Sequence, residues 1–238
     1  MTGNDVVIEA FTELAPRYQE TVNRELRQFW GLNYEELVDW LTEVASVNEG
    51  DIILDVATGT ALIPLKLVDK VGARGRVVGL DITLAMLKHG RKNVEATGSS
   101  SRISLVCASA MAMPFVGGVF DAAICGLGTH HMDVSQMLSE MRRVLKTGGN
   151  LIMADVGASP FWRSLWGTAL LKILLLRYGL TRRSARAQAE VEAFPNVRTA
   201  DEWRTILSDF GFANIEITES PARHRWYPCA LMMRAAAI

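Results

Sequence analysis

Residues 53–67 read ILDVATGTALIPLKL. A β-branched apolar run closes on Asp55, the chain turns through Ala57-Thr58-Gly59-Thr60-Ala61, and an apolar pattern at helical spacing follows. Strand, tight turn and helix in that order hold nucleotide-type ligands in α/β proteins. A dinucleotide turn reads G-x-G-x-x-G, because backbone amides must approach a diphosphate closely. That fingerprint is absent. Gly59 makes the bend, Ala57 and Ala61 are the other small positions, and Thr58 and Thr60 add hydroxyls.

Outward from this turn, apolar residues recur at helical spacing through the first fifty positions, with a break at Pro16. A strand over 52–56, a helix from about 60 to 71 and a second strand, RVVGLD, come next. TLAMLKHGRKNVEAT reads as a helix with Thr83 as N-cap. RISLVCA and VFDAAICG read as strands, and DVSQMLSEMRRVLKTGG as an amphipathic helix closed by Gly148-Gly149. NLIMADV is the fifth strand, and a last helix precedes ANIEITES and CALMMRAAA. The connection between those two is too short for a parallel crossover, so the final strand, begun after Pro228, is antiparallel. The pattern predicts a Rossmann-like, doubly wound, seven-stranded α/β sheet in a single domain. Residues 1–50 form a helical cap, 51–156 the cofactor-binding core, 157–198 a helical lid after strand 5, and 199–238 the closing helix and strands.

At 238 residues such a domain buries roughly 70–75% of its unfolded surface. A net charge of −1 lacks the basic footprint of a nucleic-acid binder. The N-terminus has neither the basic nor the apolar region of a secretory signal. Cys107, Cys125 and Cys229 lie apart in apolar runs, and buried free thiols in a reducing cytoplasm are expected.

Asp55 ends its strand where a carboxylate can meet an ammonium group, and Asp81 ends the next where one takes ribose hydroxyls. Two acids about a glycine-poor bend suit a nucleoside with a cationic tail, S-adenosyl-L-methionine rather than NAD. The order of FTELAPRYQETVNR, ILDVATGTA, VVGLDITLAML, ASAMAMPF, FDAAICGLGTHHM and EMRRVLKTGGNLIMAD resembles the class I S-adenosylmethionine-dependent methyltransferases. Within that class it is similar to the ubiquinone/menaquinone C-methyltransferase branch. The resemblance implies that Asp55, Ala57 and Gly59 line the methionine end, with Thr60 close by. Asp81 would bind ribose, and Ile82 and Met86 would pack near adenine. Ser109, Ala110 and Met111 would hold the adenine's polar edge, Gly126 would sit near the methionine, and Tyr18 would cover the cofactor. The chain departs from the pattern in having Ser109 for the usual Asp, Ala61 for the last Gly, and GLGTHHM where the quinone branch carries an Arg-Asn signature.

His130 and His131 follow the fourth strand, and with Asp155 at the end of the fifth they are the candidate proton acceptors. His224 is a further one. Adjacent histidines without a third donor at useful spacing predict no metal site. Residues 159–188 carry Trp162, Trp166 and six cations without an acid. They read as a lid over an apolar acceptor pocket, with peripheral membrane contact or an oligomer interface as alternatives. Lys172 and Arg177 interrupt the apolar stretch short of a membrane span. The expected activity is methyl transfer to a C, O or N nucleophile of a small, lipophilic acceptor. The alternatives are a methyltransferase fold that binds the cofactor without transfer, or a nicotinamide-dependent oxidoreductase.

Overall fold

The computed structural model describes residues 3–158, 167, 173, 185–224 and 227–238. Seven strands form one sheet: β1 (Ile52–Val56), β2 (Arg76–Asp81), β3 (Ile103–Cys107), β4 (Phe120–Gly126), β5 (Leu145–Gly157), β6 (Phe212–Ser220) and β7 (Cys229–Ala237). Their spatial order is β3-β2-β1-β4-β5-β7-β6. The first five are parallel, and β7 runs antiparallel between β5 and β6. The order reverses at β1, between β2 and β4, so a crevice opens at the carboxyl ends of these strands.

Alternate residues of the buried strands feed two apolar layers. Leu54 and Val56 pack with Met137, Leu138 and Trp203 beneath α6 (Val134–Val144) and α8 (Ala200–Asp209). Ile53 packs on the opposite face with Leu41, Leu67 and Val94, beneath α3 (Tyr34–Val44), α4 (Leu62–Leu67) and α5 (Leu84–Ala96). Capping boxes start two of these helices, Asn33 with Glu36 for α3 and Thr199 with Glu202 for α8. Pro16 falls in a 3₁₀ turn that separates α1 (Gly3–Leu14) from α2 (Tyr18–Phe29), as its missing amide requires. α1 packs against α7 (Ala185–Ala193) through Val6, Ala10 and Ala189.

Three local expectations are corrected, and the Thr83 N-cap is met in position alone. The helix after the turn is α4 alone, shorter than 60–71. α6 ends at Val144, not at the glycine pair, because Leu145 already pairs with Phe120 and the residues before Asn150 bulge from the ladder. Thr83 occupies the N-cap position of α5 without a side-chain cap bond; its own amide is bound by Asp81. Of the three free cysteines Cys125 is buried, Cys229 half-buried and Cys107 exposed. The expected lid lies outside the described residues from 159 to 184, apart from 167 and 173.

Candidate active site

The turn after β1 is built from left-handed backbone: φ is 58° at Ala57, 54° at Gly59 and 64° at Ala61. Two of the three carry a Cβ in a region that costs it about 1–2 kcal/mol, so the surroundings must hold the turn. Asp81 does much of this. Its Oδ2 accepts the Gly59 amide at 2.9 Å and its Oδ1 the Thr83 amide at 2.8 Å, joining the turn to the start of α5. Burial raises the Asp81 pKa, and the two amides moderate the rise. Gly90 of α5 contributes by lacking a side chain. A Cβ there would lie 3.2 Å from Ala61 Cβ and from the Gly59 carbonyl oxygen.

At the crevice lies a narrow cleft with a cavity volume of about 70 Å³. Of the residues expected from the sequence it brings together Tyr18, Ala57, Gly59, Asp81, Ile82, Met86, Ser109, Ala110, Met111, Gly126 and His131. Asn4, Val7 and Phe11 of α1 also line it. The amphipathic pattern of α1 marked a buried face without saying what it would cover. Ser109 Oγ accepts the Met111 amide at 3.2 Å. Thr58, Thr60 and Asp55 lie behind the turn, buried, and do not line the cleft.

Asp55 is the site's electrostatic anomaly. It is wholly buried, and neither carboxylate oxygen has a hydrogen-bond partner among the described residues. Burial pushes its pKa up to about 8; the nearby Thr58 hydroxyl moderates this without closing a hydrogen bond, and Asp81 adds repulsion. An unpartnered acid behind small turn residues, beside a cleft with apolar walls, fits a nucleoside with a cationic amino-acid tail. Tyr18, edge-on to Tyr34 at 5.9 Å, stands across the cleft, its pKa raised to about 12 by burial.

After β4 a 3₁₀ turn, Thr129–His131, carries both histidines. His130 Nδ1 lies 2.6 Å from Asp155 Oδ1. Asp155 also accepts from the Thr129 hydroxyl, the His130 amide at 3.1 Å and the Val156 amide at 2.7 Å. It is buried and lines no described cavity, contrary to the expectation that it faces the crevice. Burial works to raise its pKa, but His130 and these donors hold it below the usual carboxylate range. In turn burial lowers the His130 pKa, but Asp155 outweighs it and the net shift is upward. His131 is held neutral, its pKa lowered to about 3 by burial and by its neighbour His130.

A second cavity, about 250 Å³, adjoins the first. Phe11, Tyr18, Leu127 and His131 line both. Val22, Leu26, Phe29 and Trp30 of the α2 segment make the second cavity largely apolar, with His130, Glu25, Arg186 and Glu190 as its polar groups. Arg186 clamps Glu25 at 2.6 and 2.7 Å. Glu190 of α7 brings a carboxylate oxygen within 4.8 Å of a ring nitrogen of each histidine, an acidic neighbour that sequence spacing did not show. His224 packs on Tyr227 at 5.0 Å and lines neither cavity.

Comparison with known proteins agrees with this architecture. The profile of the ubiE/COQ5 methyltransferase family matches residues 7–162. A ubiquinone/menaquinone biosynthesis C-methyltransferase UbiE of Geotalea uraniireducens is 28% identical over 211 residues, spanning 87% of this chain and 88% of its own. A demethylmenaquinone methyltransferase of Listeria welshimeri is 31% identical, over 69% of each chain. The crystal structure of geranyl diphosphate C-methyltransferase from Streptomyces coelicolor superposes with a TM-score of 0.69 at 15% identity, covering 93% of this chain and 84% of that one. The chain belongs to the ubiE/COQ5 methyltransferase family and is an S-adenosylmethionine-dependent methyltransferase.

Proposed function

We propose that the enzyme methylates a reduced, quinone-like aromatic acceptor seated in the second cavity, with the cofactor in the first. The observation that carries this reading is the shared wall. Tyr18, His131, Phe11 and Leu127 border both cavities, so ligands in the two meet there. The family relatives named for quinone biosynthesis support the acceptor class.

When bound, the cofactor supplies a methyl group on an electrophilic sulfonium. Asp81 would hold its ribose, Ala57 and Gly59 would line its methionine end, and the charge of Asp55, from behind that turn, would act on the ammonium group through space. Aligning the acceptor across the shared wall is worth ~7–11 kcal/mol. The apolar side chains of α1 and α2 keep water from the nucleophile. His130, its Nδ1 proton held by Asp155, takes the proton of the acceptor's hydroxyl on its other nitrogen, and neutral His131 adds a hydrogen bond without charge repulsion. No described helix is long and apolar enough to cross a membrane. The cytoplasm is the proposed compartment.

The test is transfer of a labelled methyl group from S-adenosylmethionine to a prenylated naphthoquinol, with the product read by mass spectrometry. A singly methylated quinol is expected. A protein that binds S-adenosylhomocysteine tightly yet methylates neither this quinol nor a simpler benzoquinol would refute the acceptor assignment.

A further inference from the structure

The two histidines of the Thr129–His131 turn project on one side of the backbone, with ring centroids 4.2 Å apart. Alone they are a poor metal site, since a three-point chelate needs a further donor. The fold supplies one from far along the chain. Glu190 lies on α7, and one ligand atom each from His130, His131 and Glu190 fall within 4.8 Å of one another. It is the one such group of three among the described residues.

We propose that His130, His131 and Glu190 form a binding site for a divalent transition-metal ion of the zinc class in the wall of the second cavity. Three further observations point to a cation there. His130 gives its Nδ1 to Asp155 at 2.6 Å; a carboxylate is one of the partners that orient metal-bound histidines, and this pairing leaves Nε2 for the ion. His131 Nδ1 is buried and has no hydrogen-bond partner among the described residues, so this ring has an unused donor in place. All three residues border the second cavity, so a bound ion keeps open positions toward the acceptor, as three-ligand metal sites do.

The nearest competing charge is Arg186, 3.7 Å from Glu190 Oε1. Its Nη2 binds Glu25 at 2.6 and 2.7 Å, and its contact with Glu190 through Nε is longer than a hydrogen bond, so a cation can compete for that carboxylate. Two imidazoles and one carboxylate favour zinc, cobalt, nickel or iron over magnesium or calcium, whose sites are built from oxygen alone. An ion at Nε2 occupies the lone pair that the proposed proton transfer uses. Binding of the ion and that role of His130 therefore exclude each other, and a zinc-class ion should inhibit turnover. This last consequence rests on the proposed methyl transfer to a hydroxylated acceptor. The binding itself does not.

Cobalt(II) titration of tag-free, chelator-treated protein tests the site directly. One equivalent should bind with visible d–d absorption and be displaced by zinc(II). Glu190→Gln and, separately, Asp155→Asn should each weaken cobalt binding 10-fold or more. S-adenosylhomocysteine affinity of Glu190→Gln, read by calorimetry, should stay within twofold of the parent, which establishes that the variant is folded. Absence of a saturable cobalt spectrum overturns the proposal. So does a spectrum that survives unchanged in both Glu190→Gln and His130→Ala, because the ion would then sit elsewhere. Failure of methyl transfer with cobalt binding intact would count against the proposed acceptor chemistry, not against the metal site.

Discussion

His130 Nδ1 and Asp155 Oδ1 lie 2.6 Å apart in a region closed to solvent on the carboxylate side. Removing the imidazole alone strands a buried charge. The Thr129 hydroxyl and the His130 and Val156 amides still bind the carboxylate, but none of them neutralises it. His130→Ala should therefore cost about 3–5 kcal/mol of stability. Asp155→Asn on that background should restore part of the loss, because the stranded charge is gone. Urea unfolding of the two single variants and the double one measures the coupling. Strictly additive losses would mean the pair is not coupled.

Asp55 predicts a pH dependence whose sign can be worked out. Burial raises its pKa from 3.8 to about 8 in the folded chain. Between those values the native protein keeps a proton that the unfolded chain has released, so stability falls as pH rises across the window. The slope is at most about 1.4 kcal/mol per pH unit. Asp55→Asn removes this dependence and should be more stable than the parent above pH 8. A ligand with an ammonium group binds the charged form and must expel the proton below pH 8. Affinity for S-adenosylhomocysteine should then strengthen with pH up to about 8. The binding enthalpy should vary with the ionisation enthalpy of the buffer, and a buffer-independent enthalpy near pH 7 would contradict the assignment.

The strands β1, β2, β4 and β5 were legible because each is an apolar run closing on Asp or Gly. The closing antiparallel strand followed from the brevity of the 221–228 connection alone. The cleft was legible wherever a residue touches it from a strand end, as Asp81, Ile82, Ser109 and Gly126 do. Contributions from remote helices were not. Nothing in the local pattern of α1 places Asn4, Val7 and Phe11 over the cleft, or brings Glu190 of α7 to the histidines. Those contacts arise from tertiary packing of α1 on α7. Asp155 was misplaced for a related reason. A strand-end position predicts exposure to the crevice, but four hydrogen-bond donors turn this carboxylate inward.

Asp81 has two functions that substitution can separate. Its oxygens bind the Gly59 and Thr83 amides, and it borders the cleft where ribose is placed. Asp81→Ala orphans two buried amides at about 1–3 kcal/mol each, so weaker binding in that variant mixes distortion with a lost contact. Asp81→Asn retains an acceptor oxygen. Both should lose 10-fold or more in S-adenosylhomocysteine affinity, with the larger drop in melting temperature confined to the alanine variant. Should the asparagine variant bind within twofold of the parent, ribose does not sit at this carboxylate.

Ala61 tests how the strained turn is held. Its φ of 64° puts a Cβ where glycine is at ease, and its methyl is wholly buried. Ala61→Gly relieves about 1–2 kcal/mol of backbone strain. It forfeits about 0.8 kcal/mol of buried methyl and adds roughly 0.4–1 kcal/mol of unfolded-state entropy. These nearly cancel, so stability should change by less than about 1 kcal/mol. Ala61→Val is different, since a β-branched residue at positive φ is strained on its own. Gly90 lies directly against this position, as the 3.2 Å approach of a Cβ there to Ala61 Cβ shows. Overpacking then adds about 1–3 kcal/mol, and the displaced turn should carry Gly59 away from Asp81 and lower S-adenosylhomocysteine affinity as well. Thermal melts with and without the ligand distinguish the two variants. A valine variant as stable and as tightly binding as the parent would mean that α5 yields readily and that the turn is not clamped against Gly90.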